Sequence, residues 1–311
     1  MLNKDEIKYL EKLIVKYNKK NTNIKNKYPL IGRPFSSGDI IAGAEVLLTS
    51  KITMSQITEN FEKQFAKYLG VKYALMVNSG SSANLLALFA LINPKNKNKL
   101  NINDECILPA LCWSTSLWPI VQAGLKPKFV DADIKTFNIN LDDLERKITK
   151  KTKAILAVHI LGNSTNMKRL KSIANSNKLT LIEDTCESLG SKYSGKHLGT
   201  FGKFGTYSMY VSHQISSGEG GMIVCNDYND YEIIHRLRAH GWDRGLKSKN
   251  KNNFNFVNSG FNLRPLDLTA AIGLSQFKRI NNMSNIRQKN RETIINAIKK
   301  SPKFNNQLEF L

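Results

Sequence analysis

The sequence predicts an α/β fold, a mostly parallel sheet covered by helices. Three observations predict it. Short apolar runs of strand length alternate with stretches of helical periodicity through the middle of the chain. The runs are apolar throughout rather than at every second residue, as strands buried on both faces require. The chain has 311 residues, 41% of them hydrophobic, enough to bury a large core.

In order, residues 4–19 place Ile7, Leu10, Ile14 and Tyr17 on one helical face. The polar stretch "NKKNTNIKNKYP" then reads as a linker. A second helix begins near Ser55, with Ile57, Phe61, Phe65 and Leu69 as its stripe and Gly70 placed to end it. Strand–helix alternation follows: "YALMV" before "SGSSANLLALFALI", "ECILP" before "TSLWPIVQAG", "KPKFVD" before "LDDLERKI", "KAILAVHI" before "NMKRLKSIANS", then "LTLIED". Further on, "YSMYVSHQISSGEGGMIVCND" reads as a strand, a polar turn, a glycine-rich corner and a second strand.

Charge and cysteine usage exclude several functions. The net charge is +21, yet the lysines are dispersed among asparagines, with no patch of interleaved arginine and aromatic residues. That argues against nucleic acid and suits an anionic small substrate. The four cysteines have neither C-x-x-C spacing nor the pattern of a disulfide framework. No apolar run approaches membrane-spanning length, and charges interrupt the N-terminal apolar residues, unlike a signal peptide. The expectation is a cytoplasmic protein that engages no membrane.

In parallel sheets ligands bind beyond the carboxyl ends of the strands. After "YALMV", Gly80 and Ser81 open a helix whose N–H groups suit a phosphate; a serine cap is the plainer reading. After "ECILP", Trp113 either packs in the core or offers a flat face to a ring. Asp184 ends an apolar strand, with Glu187 one helical turn on. A buried carboxylate there needs a partner, either a helix cap or salt bridge or the protonated nitrogen of a pyridine ring. Ser208 lies on a strand, five residues before His213.

These residues, with "FEKQFAKYLGVKYALMVNSGSSANLLAL", "GLKPKFVDADIKTFNIN", "IEDTCESLGSKYSGKHLGTFG", "GEGGMIVCND" and "GFNLRPLDLTAAIGLSQ", resemble the DegT/DnrJ/EryC1/StrS sugar aminotransferase family over residues 29–300. The resemblance implies the aspartate aminotransferase fold (type I of the pyridoxal-phosphate enzymes). It divides the chain into an N-terminal helix and linker (1–28), a cofactor-binding large domain (29–280) and the start of a small C-terminal domain, incomplete here (281–311). By position, Gly80, Ser81 and Ser208 would hold the cofactor phosphate, Trp113 would stack on the pyridine, Asp184 would pair with its nitrogen, and Glu187 would lie near the ring or its hydroxyl. Asn262 would reach the phosphate of the neighbouring subunit in a homodimer.

In the aminotransferases of this family a lysine stands at the position of His213. Imidazole cannot make lysine's covalent link to the cofactor aldehyde, but it moves protons near neutral pH. The same change marks a branch that uses pyridoxamine phosphate to remove the 3-hydroxyl of 4-keto-6-deoxy nucleotide sugars, many of whose members have histidine where this chain has Gln214. One group in that branch adds an iron–sulfur cluster on cysteines well beyond the histidine; with none after Cys225, the resemblance implies the cluster-free group, acting on GDP-4-keto-6-deoxymannose with an amino donor such as glutamate. The other readings are a sugar aminotransferase, or an inactive homologue with a structural or regulatory role.

Overall fold

The computed structural model describes residues 2–20, 32–246 and 254–304. The linker from residue 21 on and the terminal "NNQLEFL" lie outside the described residues. The helices are α1 (Lys4–Lys20), α2 (Ser37–Leu48), α3 (Gln56–Leu69), α4 (Gly80–Ile92), α5 (Ser114–Gln122), α6 (Leu141–Lys147), α7 (Met167–Ser176), α8 (Tyr228–Arg238), α9 (Asp267–Phe277) and α10 (Ile280–Lys300). The strands are β1 (Tyr73–Val77), β2 (Glu105–Pro109), β3 (Lys126–Val130), β4 (Thr152–Val158), β5 (Thr180–Asp184), β6 (Lys192–Tyr193), β7 (Lys196–His197), β8 (Phe204–Ser208) and β9 (Gly221–Cys225).

The main sheet has the order β1-β9-β8-β5-β4-β2-β3. β9 pairs antiparallel with both β1 and β8, and the other pairs are parallel. Val77, Ser208, Asp184, Val158 and Pro109 therefore end strands on one edge of the sheet. Both faces are covered. Along β1, Leu75 and Val77 enter the core beneath α4 and α8, while Ala74 and Met76 enter the core beneath α3 and α9. A third cluster packs α6 and α7 on β4 and β5.

The α3 stripe forms as the periodicity predicts. Phe61 and Phe65 are fully buried, Leu69 nearly so, and Gly70 ends the helix at φ 72°. Each buried phenylalanine contributes about 1.5–3 kcal/mol. The sequence reading missed α2. Its signal is local: Ser36 and Asp39 form a reciprocal capping box. Asp39 is then buried under Arg279 Nη2, 2.7 Å away, and Ser275 Oγ, which ties α2 to the end of α9. The turn after β5 also departs from expectation, since no helix follows Asp184; the chain bends through Cys186 and Glu187 instead.

One buried pair joins the core to the site. Arg238 Nη1 donates to Glu62 Oε1 and to the Met76 carbonyl, both at 2.8 Å. Burial pushes the Glu62 carboxyl up, and Arg238 opposes that shift. The Arg238 carbonyl accepts from Leu263 N–H, and the Leu263 carbonyl accepts from Asn78 N–H at 3.1 Å. The end of β1 is thereby fixed against the segment that carries Asn262.

Candidate active site

The turn after β1 is packed against two other strands. Ser79 caps α4 by accepting from Ser82 N–H at 3.1 Å. Capping thus falls to Ser79, and Ser81 is left exposed, its hydroxyl donating to Thr115 Oγ1 at 3.0 Å. The N–H groups of Gly80 and Ser81 are in the first helical turn, which supplies no carbonyl for them. A Cβ on Gly80 would stand 2.5 Å from Ser208 Cβ and 2.9 Å from Cys186 Sγ. One on Gly221 would stand 2.2 Å from the Ser79 carbonyl oxygen. Glycine at both positions lets the α4 terminus, Ser208 and the start of β9 share one small space. Ser208 Oγ accepts from Tyr210 N–H at 3.2 Å, so its own proton remains free to be donated.

Asp184 is buried at the end of β5 without an ionic partner among the described residues. Its Oδ2 accepts from Asn84 Nδ2 and from Ser116 Oγ, both at 2.7 Å, and its Oδ1 accepts from Cys186 N–H at 3.2 Å. Asn84 Oδ1 in turn accepts from Thr206 Oγ1 at 2.6 Å. Three neutral donors orient this carboxylate. The sequence reading missed Asn84, Ser116 and Thr206. For Asn84 a signal was present: it is a lone amide in the apolar helix, four residues after Gly80 and so on the same face.

Trp113 does not join the core. It is 70% exposed in the segment between β2 and α5, so its ring is free for a partner. Glu187 Oε2 accepts from Leu161 N–H at 2.9 Å. His213 lies on the loop between β8 and β9, half-buried, with its N–H donated to the Tyr210 carbonyl at 3.0 Å. The Tyr210 and His213 rings meet edge to face at 6.1 Å. Burial pushes the His213 imidazole below 6.5, while the carboxylates of Glu187 and Asp184 pull it the other way. Asn262 is exposed, pairs with Ala239 in an antiparallel bridge, and accepts from Arg264 Nε at 3.1 Å.

The cysteines stay out of this chemistry. None is in a disulfide, and burial raises all four thiols, Cys106 to about 12 and Cys186 well above the ordinary value. Among the described residues no group of three or more His, Cys, Asp and Glu side chains is placed to hold a metal. No described helix is long and apolar enough to cross a membrane.

The arrangement fits a phosphorylated, protonatable aromatic ring. It offers a helix terminus with a serine hydroxyl for the phosphate, an exposed indole for the ring face, an oriented buried carboxylate for a ring N–H, and an imidazole nearby. Comparison with known proteins agrees. The DegT/DnrJ/EryC1/StrS aminotransferase family matches residues 38–309. The chain is 42% identical over 293 residues to GDP-4-keto-6-deoxy-D-mannose 3-dehydratase of Escherichia coli O55:H7, covering 91% of this chain and 75% of that protein. A solved structure of the E. coli enzyme with bound hydrated PLP superposes with a TM-score of 0.84 at 41% identity, over 89% of this chain and 74% of that one. A structure of GDP-4-keto-6-deoxymannose-3-dehydratase with a trapped PLP-glutamate geminal diamine gives 0.83 at 40% identity, over the same shares.

Proposed function

The chain belongs to the DegT/DnrJ/EryC1/StrS aminotransferase family, and we propose that it is a pyridoxamine-phosphate-dependent 3-dehydratase of a 4-keto-6-deoxy nucleotide sugar. The observation that carries this reading is His213. An imidazole whose pKa burial lowers stands where the family's aminotransferases have lysine, close enough to Glu187 and Asp184 to feel their charges. The relatives named for GDP-4-keto-6-deoxymannose favour a GDP-linked substrate, and the glutamate adduct in one of their structures favours glutamate as amino donor. Its setting is then the making of 3,6-dideoxyhexoses for surface polysaccharide, in the cytoplasm, where nucleotide sugars are made.

Gly80 and Ser81 N–H groups and the Ser208 hydroxyl would hold the cofactor phosphate, helped by the positive end of α4. Trp113 would cover one face of the ring. Asp184, kept in place by Asn84 and Ser116, accepts the ring N–H and so keeps that nitrogen protonated. When bound, the cofactor supplies an amine for the sugar's C4 ketone and a ring that takes up an electron pair. His213 would be the base that takes a proton from the cofactor's C4′ carbon. As imidazolium, favoured by the Glu187 and Asp184 charges, it gives that proton to the departing C3 hydroxyl. Asn262, exposed at the surface, contributes to the phosphate site of a second copy in a homodimer.

The test is product analysis. Purified protein with pyridoxamine phosphate, glutamate and GDP-4-keto-6-deoxymannose should release a 3-deoxy sugar. A 4-amino sugar retaining its 3-hydroxyl would make it an aminotransferase, and no turnover despite bound cofactor would make it a binding homologue.

A further inference from the structure

We infer that Arg287 of α10 is a positioning residue for His213, acting through the backbone of Gln214; the inference rests on His213 being the proton carrier. His213 is held weakly by its own backbone, through the single turn bond to Tyr210. The next residue is clamped from two directions. The Gln214 side chain donates through Nε2 to the Glu187 carbonyl, and the Gln214 carbonyl accepts from Arg287 Nη2 at 2.9 Å. Two residues later, Ser216 N–H donates to Gln276 Oε1 at 2.8 Å, and Gln276 Nε2 is fixed on the Pro34 carbonyl at 2.7 Å. The peptide after His213 therefore spans two anchors, one of which is a guanidinium from another helix.

The geometry of α10 makes this bond its lever on the site. Ile280 is the one buried residue in α10, and Ser284 Oγ lies beside Gly190. Residues 280, 284 and 287 recur at helical spacing, so a single face of α10 meets the body of the protein. Arg287 itself is exposed, as is most of the rest of the helix. The Gln214 Oε1 is buried without a hydrogen-bond partner, so the side-chain amide is held through Nε2. A guanidinium suits the task because its charge strengthens the bond to a neutral carbonyl and its planar fork fixes direction.

The experiment compares Arg287→Met and Arg287→Lys with the wild type, reading the His213 imidazole by NMR titration (assigned by its loss in His213→Asn) and steady-state dehydration. In Arg287→Met the imidazole should gain solvent and titrate closer to 6.5 than in the wild type. Its kcat should fall roughly tenfold to a hundredfold, as misplacement of a reacting group does, with KM and pyridoxamine-phosphate affinity unchanged. Arg287→Lys should recover part of the loss through one hydrogen bond. A purely structural role predicts instead a lower melting temperature and weaker cofactor binding with His213 titrating as before. That result, or wild-type titration and kcat in Arg287→Met, overturns the inference. Wild-type turnover in His213→Asn would instead refute the proton-carrier reading, while the Arg287→Met titration still decides the positioning.

Discussion

Asn84 Nδ2 donates to Asp184 Oδ2 across 2.7 Å, joining a helix and a strand that are 100 residues apart in sequence. The amide is fully committed, because its oxygen accepts from Thr206 and its nitrogen also lies 3.3 Å from the Thr115 carbonyl. Asn84→Ala should leave Asp184 one donor short and Thr206 with only its longer bond to the Glu183 carbonyl, at 3.3 Å. Denaturant unfolding should show a loss of about 1–3 kcal/mol, and titration with pyridoxamine phosphate should show weaker binding. Unchanged affinity would mean that Asp184 needs no orienting amide.

Gly80 should tolerate no side chain. Gly80→Ala places a methyl 2.5 Å from Ser208 Cβ and 2.9 Å from Cys186 Sγ, so the α4 terminus and Ser208, the proposed phosphate ligands, must move apart. Cofactor binding should be lost with the fold retained by circular dichroism. Adding Ser208→Gly removes the closer clash and should restore binding in part. Full binding by Gly80→Ala alone would place the phosphate elsewhere.

Substitution at 213 should separate proton transfer from cofactor binding. His213→Asn should bind pyridoxamine phosphate normally and dehydrate roughly 10²–10⁴-fold more slowly. His213→Lys should retain the pyridoxal form covalently after borohydride treatment, detectable by mass spectrometry. A wild-type protein that traps cofactor on another lysine would contradict the assignment.

Two histidines give separate readouts of pH, one in activity and one in stability. Burial lowers the His213 pKa, so the basic form persists below pH 6.5 and the acidic limb of kcat/KM should have its midpoint under that value. Burial, with Arg238 and Arg236, pushes His235 down to about 3. Its folded form binds its proton less readily than the unfolded chain, so its contribution is complete above pH 6.5 and is lost as pH falls toward 3. Between those limits, melting temperature should fall less steeply in His235→Gln than in the wild type. Parallel curves would remove His235 from the acid response.

Mixed dimers test the shared site. His213→Asn and Asn262→Ala, each impaired alone, should recover activity when unfolded and refolded together, since one site per heterodimer then carries both native residues. No recovery, or a monomer by sedimentation, would confine Asn262 to its own chain.

By itself the sequence determined the strand–helix alternation and the α3 stripe, and through a family resemblance it offered Gly80, Trp113, Asp184, Ser208 and His213 as candidates. The elements are legible because buried parallel strands must be continuously apolar, and a carboxylate such as Asp184 at the end of such a strand stands out against that background. Tertiary structure alone decided the rest. The strand holding Gly221 is inserted antiparallel between β1 and β8, bringing residues 79–81 against Ser208. Trp113 could have been core or surface by composition, and only packing leaves it exposed. Asn84 and Ser116 meet Asp184 from two separate elements, Thr206 holds Asn84 from a third, and Arg287 meets the His213 loop from a fourth. Hydrogen bonds between residues so distant along the chain leave no local periodicity, because their partners are selected by where whole elements dock.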